Sequence, residues 1–143
     1  MAVVVEKVHT VTSEVVHAFE SLIPQLSRSN PAPTEAELNE MVSSPASDVF
    51  IARVDGNIVG SLTLVTFRIP TGIRAWIEDV VVDESARGHG VGEALNQAAI
   101  AEAQHRGAVT VDLTSRPSRE AANRLYQRIG FVQRDTNVYR YSF

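Results

Sequence analysis

Valines at positions 3, 5 and 8 predict a first strand over Ala2–Val8. The apolar period then lengthens. Val16, Phe19, Leu22, Ile23 and Leu26 fall on one helical face, so a helix is expected from a Thr12 or Ser13 cap to about Ser27. Ser29-Asn30-Pro31-Ala32-Pro33 reads as a loop. Thr34 followed three residues later by Glu37 is a capping box for a second helix through Val42. Strand signals follow over Asp48–Val54, Ile58–Arg68 and Ile73–Val82, joined by turns at Asp55-Gly56-Asn57 and Pro70-Thr71-Gly72. A helix is expected from Gly90 to about His105, stopped at Gly107, and then a short buried strand over Val109–Leu113. Ser118 is placed to cap a last helix to Ile129, with Gly130 after it, and strands over Phe131–Arg134 and Val138–Tyr141 would close the sheet.

The expected order is β-α-α-β-β-β-α-β-α-β-β. This is an α/β fold with a mixed, mostly antiparallel sheet flanked by helices. The step from Val82 through a helix to Val109 joins parallel strands by a crossover. No repeat, linker or low-complexity segment interrupts the chain, so residues 1–143 read as one domain.

The junction after Val82 carries the chemistry. A basic, glycine-rich turn, Arg87-Gly88-His89-Gly90-Val91-Gly92, opens directly into a strong helix former. Glycines let the backbone approach a ligand and point several N–H groups the same way. The first N–H groups of the helix have no internal partner and carry partial positive charge. With Arg87 they suit a phosphate or pyrophosphate. A Walker A loop is excluded, because Gly92-Glu93-Ala94 lacks the Lys-Ser/Thr ending. A dinucleotide fold fits poorly: the glycines are spaced two by two, and little chain follows them. Asp112 lies near the distance its ribose-binding acid would need, which keeps a nucleotide-binding protein as an alternative. A plain glycine turn would need neither three glycines nor the arginine.

Composition narrows the setting. The chain has 143 residues, 44% hydrophobic and 21% charged, as expected of a globular protein. It has no cysteine, which removes disulfides, thiolate metal ligands and a cysteine nucleophile; no metal is expected. No signal peptide or membrane-length apolar run is visible, so a cytoplasmic protein without membrane partners is expected. A net charge of −4 argues against nucleic acid as a partner, although Arg116, Arg119, Arg124 and Arg128 form a local basic run.

The loop Arg87–Gly92 resembles the pyrophosphate loop of the GCN5-related N-acetyltransferases, Gln/Arg-x-x-Gly-x-Gly/Ala. A second segment, Ala121-Ala122-Asn123-Arg124-Leu125-Tyr126-Gln127-Arg128-Ile129-Gly130-Phe131, is similar to that family's A-x-x-L-Y-x-x-x-G-F. The resemblance covers nearly the whole chain and is strongest from Trp76 to Phe131. It implies the acyl-CoA N-acyltransferase fold and acetyl-CoA as cosubstrate. It also implies that Val80, Val81 and Val82 pair through their main chain with pantetheine, and that Arg87, Gly88, His89, Gly90, Val91 and Gly92 hold the pyrophosphate. Pantetheine carries two amides, and an open strand edge offers matching N–H and C=O groups. The motif leaves the His89 side chain free, which makes it a surface histidine of the loop.

Transfer of acetyl to an amine needs a base for the amine, charge stabilisation at the thioester oxygen and an acid for the departing sulfur. The resemblance assigns the acid to Tyr126. Glu78-Asp79 resembles a Glu-Asp pair in the matching strand of glucosamine-6-phosphate N-acetyltransferases, and Glu78 is the expected base, directly or through water. Strand alternation would send Glu78 and Asp79 to opposite faces. The glutamate that ribosomal-protein alanine acetyltransferases carry after the next strand is replaced here by Thr114. The CoA-contacting asparagine found in many members seven residues before the tyrosine is replaced by Arg119. Arg116, Arg119 or Arg124 could instead meet the phosphates, and Asn123, one turn before Tyr126, is a further cofactor candidate.

The acceptor is expected to be a primary amine of a small molecule or protein, rimmed by Ser27–Pro33, Ile69–Arg74 and Asn137–Phe143. Arg68, Arg74, Arg140, Tyr139 and Tyr141 are candidate contacts. An amino sugar phosphate is the narrower acceptor, and a non-catalytic acyl-CoA-binding regulator is the alternative function. An uncovered edge among the C-terminal strands would leave a homodimer open.

Overall fold

The computed structural model describes residues 2–143. They fall into two compact units, a first ending at Leu113 and a second over Thr114–Phe143.

The first unit is a five-stranded sheet in the order β1 (Val3–Lys7), β2 (Ser47–Val54), β3 (Asn57–Ile69), β4 (Gly72–Val82), β5 (Thr110–Asp112). Three antiparallel ladders run from β1 to β4, and β5 adds parallel to β4, as the crossover reading requires. The β2–β3 hairpin turns at Asp55 and Gly56, both at positive φ (50° and 81°). That is the left-handed pair a two-residue turn needs to match strand twist.

Helix α1 (Ser13–Leu26) starts at Thr12, whose Oγ1 accepts from the Val15 N–H at 3.3 Å. Helix α2 (Glu35–Ser43) has the expected capping box. Thr34 Oγ1 accepts from the Glu37 N–H at 3.1 Å, and Glu37 Oε1 from the Thr34 N–H at 2.9 Å. Val15, Phe19 and Ile23 of α1 and Leu38 of α2 form one core with Val8, Val49 and Ile51.

Helix α3 (Val91–His105) covers the other sheet face. Gly60 pairs with Ala52, the neighbour of Ile51, and so points away from the first core. A Cβ at Gly60 would lie 3.0 Å from Val91 Cγ1 and 3.2 Å from Leu95 Cδ1. Only glycine allows the first turn of α3 to seat this closely on β3. The far end of α3 is tied down by charge. Asp48, 4% exposed, lies 3.1 Å from Lys7 Nζ and 2.9 Å from Arg106 Nε, and Lys7 also pairs with Glu102. Gly107 closes the helix, with Gly107 N–H to Gln104 O and Ala108 N–H to Ala103 O, both 3.0 Å. This is the Schellman arrangement.

The second unit holds α4 (Glu120–Arg128). Its N-cap is Arg119, without a side-chain cap bond, so Ser118 does not cap it. Asn123 fastens the start instead: its Nδ2 donates to Arg116 O and Arg119 O, each at 2.9 Å.

The fold class is as expected, but the last two strands are not formed. Residues 131–143 carry no regular structure. An isolated two-stranded hairpin is marginal in water, and side-chain alternation alone does not supply ladder partners. Tyr139 and Tyr141 are 87% and 85% exposed.

Candidate functional site

The ladder between β3 and β4 slips at one point. Ser61 faces Val81, but Thr63 faces Glu78, so β4 carries one extra residue there. Asp79 occupies the slip at φ 50°, unusual for a residue with a side chain. This is a β-bulge, which bends its strand and re-aims the neighbouring side chains. The simple alternation expected at Glu78-Asp79 therefore fails, and both carboxylates are exposed.

Beyond the bulge β4 has one neighbour only. It pairs with β5 through Arg74, Ala75 and Trp76, and no further. From Ile77 to Val82 the edge away from β3 has no strand beside it among the described residues. Val81 is buried, and Val80 and Val82 are half-buried. One strand thus packs through its side chains while its edge at Val80–Val82, beside which no strand lies, presents main-chain groups outward, the Val82 carbonyl among them held by Arg87 Nε. A ligand carrying amides would complete that ladder.

The chain leaves this edge through a braced loop. The Asp83 N–H donates to Val59 O at 2.7 Å, and the Asp83 carboxylate accepts the Ser85 N–H at 3.1 Å, starting a 3₁₀ turn over Glu84–Ala86. Arg87 Nε reaches back to Val82 O at 3.3 Å. Gly88 and Gly90 then take φ of 83° and 80°, and a Cβ added to either would meet nothing within 4 Å. Packing does not demand glycine at these two positions; the left-handed backbone does. Gly90 is the N-cap of α3, and no side chain caps the first turn. The N–H groups there, the open space over Gly88 and Gly90 and the adjacent Arg87 suit a phosphate or pyrophosphate. His89 is exposed in this loop.

Two residues that the sequence reading did not single out support the loop. Gly60 seats the first turn of α3, as described. Asn96 is fully buried, and its Nδ2 donates to Gly92 O at 2.8 Å. A polar residue at a core position of an otherwise apolar helical face was the signal available for Asn96.

In the second unit, Tyr126 is 7% exposed and meets Phe131 edge-on, ring centroids 5.8 Å apart at 76°. The Phe131 N–H donates to Tyr126 O at 2.9 Å, and the Gly130 N–H to Gln127 O at 3.2 Å. The tyrosine, glycine and phenylalanine of the second signature are therefore the C3, C′ and C″ positions of a Schellman motif, including its apolar contact. This spacing has a structural reason of its own, separate from any chemistry at the phenol. Burial pushes the Tyr126 hydroxyl above its ordinary pKa, with Arg119 pulling weakly the other way. The phenol therefore keeps its proton across the neutral and moderately alkaline range.

Other candidates have local occupations. Both contacts of Asn123 Nδ2 lie in the segment that leads into its own helix. Arg74 bridges Thr110 Oγ1 at 3.2 Å and Thr71 Oγ1 at 3.0 Å, which clasps the β3–β4 turn to β5.

Comparison with known proteins agrees with this geometry. The model of the acetyltransferase (GNAT) family matches residues 15–131. Among solved structures, a protein from Agrobacterium tumefaciens str. C58 assigned as an acetyltransferase superposes with a TM-score of 0.85 at 25% identity, over 97% of this chain and 99% of that one. Ribosomal-protein-alanine N-acetyltransferase from Brucella melitensis biovar Abortus 2308 gives 0.78 at 24% identity, over 99% of each chain. Glucosamine-6-phosphate N-acetyltransferase from Arabidopsis thaliana gives 0.82 at 19% identity, over 99% of each chain. The last two likenesses are of fold.

Proposed function

The chain belongs to the acetyltransferase (GNAT) family, and from that premise we propose that it moves an acetyl group from acetyl-CoA directly to a primary amine of a small molecule or protein. The observation that carries the reading is the free β4 edge at Val80–Val82 running into the uncapped N-terminus of α3. An amide-bearing arm followed by a pyrophosphate matches that order of features, and NADH has no such arm.

Bound acetyl-CoA would supply the activated acetyl group as a thioester. The main chain of Val80, Val81 and Val82 binds and aligns the pantetheine amides. The first N–H groups of α3, with Arg87, hold the pyrophosphate, and Gly88 and Gly90 leave its volume open. Tyr126 holds a proton on its phenol and gives it to the departing sulfur. Glu78, exposed beside the bulge, takes the amine proton directly or through one water. Single transfer then needs no covalent enzyme intermediate, in keeping with the lack of cysteine. The amine acceptors named in the relatives, an amino sugar phosphate among them, support a small-molecule amine as the first class to test.

Two measurements test the assignment. CoA should raise the melting temperature, because a ligand that binds only the folded state stabilises it, and NADH should leave it unchanged. The reverse result overturns the reading. A panel of primary amines, with amino sugar phosphates included, should then yield acetylated product; CoA binding without turnover of any amine would make the protein a regulator that binds acyl-CoA.

Glu78→Gln tests the base. A glutamine cannot accept the amine proton, so kcat should fall by about a hundredfold or more while CoA affinity stays the same. Turnover of an identified amine at the wild-type rate removes Glu78 from the mechanism.

A further inference from the structure

The acceptor side and the cofactor loop are joined by one side chain. Gln25 lies in the last turn of α1, two residues before the connection that runs to α2. Its Nε2 donates to Asp83 Oδ1 at 2.8 Å, and its Oε1 accepts from the Glu84 N–H at 2.9 Å. Both halves of the amide are therefore engaged by the segment that leads from the free β4 edge into Arg87–Gly92. On its other side Asp83 accepts from both the N–H and the hydroxyl of Ser85. The hydrogen bond from Gln25, and then those from Ser85, hold the Asp83 carboxyl below its ordinary pKa, so it remains an acceptor through the neutral range.

The pairing is specific. A glutamine amide presents donors on its nitrogen and an acceptor oxygen about two ångströms away. Here Nε2 and Oε1 meet an acceptor and a donor on adjacent residues, and Nε2 also donates to Ser21 O of its own helix at 3.1 Å. An apolar side chain would satisfy neither, and a glutamate would turn a donor into a second carboxylate against Asp83. The sequence separation is 58 and 59 residues, so nothing local requires the contact.

We infer that Gln25 is a positioning residue that fixes the α1–α2 connection against the cofactor loop, so that filling the cofactor site steadies the acceptor-side connection. This rests on the acetyl-CoA reading above. The coupling is reciprocal: whatever steadies residues 27–33 also favours cofactor binding by the same factor. Coupling of this kind is typically about fivefold or more in affinity.

Arg28 provides the readout, because it is exposed in that connection and is a tryptic site. Cleavage after Arg28, followed by fragment mass, is compared with and without CoA, and CoA affinity is measured by calorimetry on the same samples. In the wild type, saturating CoA should slow cleavage after Arg28 by about fivefold or more. In Gln25→Leu the protection should fall below about twofold while CoA still binds. Asp83→Asn keeps an acceptor oxygen for Gln25 and should retain much of the protection; Asp83→Leu should lose it. Should Asp83→Leu fail to fold, the Gln25→Leu comparison decides alone. Equal protection in wild type and Gln25→Leu overturns the inference and leaves the acetyl-CoA reading intact, and so does CoA binding without any protection. If calorimetry detects no CoA binding to the wild type, both fall.

Discussion

Tyr126→Phe should lower kcat by about a hundredfold or more, the usual contribution of a positioned general acid, and should leave CoA affinity and the fold nearly unchanged. The substitution removes one oxygen. It keeps the ring, the edge-on contact with Phe131 and the two main-chain bonds that close α4. The structural part of the second signature therefore survives, and only the chemical part is lost. The pH profile gives a second handle. Burial raises the phenol pKa, so the protonated form persists as pH rises and is lost only on passing that raised value. A fall in wild-type rate caused by Tyr126 should therefore lie above the ordinary phenol range, about 10, and should vanish in the variant. If Tyr126→Phe turns over an identified amine at the wild-type rate, Tyr126 is a helix-capping residue alone and water protonates the sulfur.

The Schellman geometry shows why such a test is needed. A motif of tyrosine, three residues, glycine and phenylalanine is legible in the sequence, but the letters do not say which requirement spaced them. Here the glycine must take a positive φ (114°) to close the helix, and the aromatic contact follows from the cap. The capping box at Thr34 and Glu37, the Asp55-Gly56 turn and the start of α3 at Gly90 were legible for the same kind of reason. Each is a contact within four residues, where local chemistry decides the backbone.

What the sequence could not disclose depends on partners far along the chain. The bulge at Asp79 appears only when β4 is laid against β3, because neither strand contains a glycine or proline at the slip. It carries the aim of Glu78 with it, and period-two reasoning at that pair failed for this reason. Gly60 looks like an ordinary strand glycine until the first turn of α3 is placed on it. Gln25 sits on a helix end where its one local partner is Ser21 O, and the partners that matter, Asp83 and Glu84, lie 58 and 59 residues away. Over residues 131–134 and 138–141 the error ran the other way. Alternating residues signalled strands, but alternation reports what a strand could bury and not whether an edge receives it. The free edge at Val80–Val82 was expected from family resemblance, and its physical origin is simply that β5 is three residues long.

Gly90→Asp should weaken CoA binding by about tenfold to a hundredfold, or roughly 1.4–2.8 kcal/mol, while costing the apo protein little. Most side chains at φ 80° would strain the backbone by about 1–2 kcal/mol, and a loss of binding could then reflect a damaged loop. Aspartate separates the two causes. It tolerates the left-handed region better than most side chains, it would enter open space, and a negative charge at a helix N-terminus is favourable by about 0.3–1 kcal/mol. These terms nearly cancel in the apo protein, so its melting temperature should move by only a few degrees. Against a pyrophosphate the charge and the open space work the other way. The carboxylate fills the cradle, competes for the first N–H groups of α3 and repels the ligand charge, and the repulsion should weaken with added salt. Gly90→Asn, of similar size and no charge, should lose less affinity and show no such salt dependence. If Gly90→Asp binds CoA as the wild type does, the N-terminus of α3 is not the phosphate site. If instead the apo protein melts many degrees lower, Gly90 is there for the turn and the cradle has to be sought elsewhere.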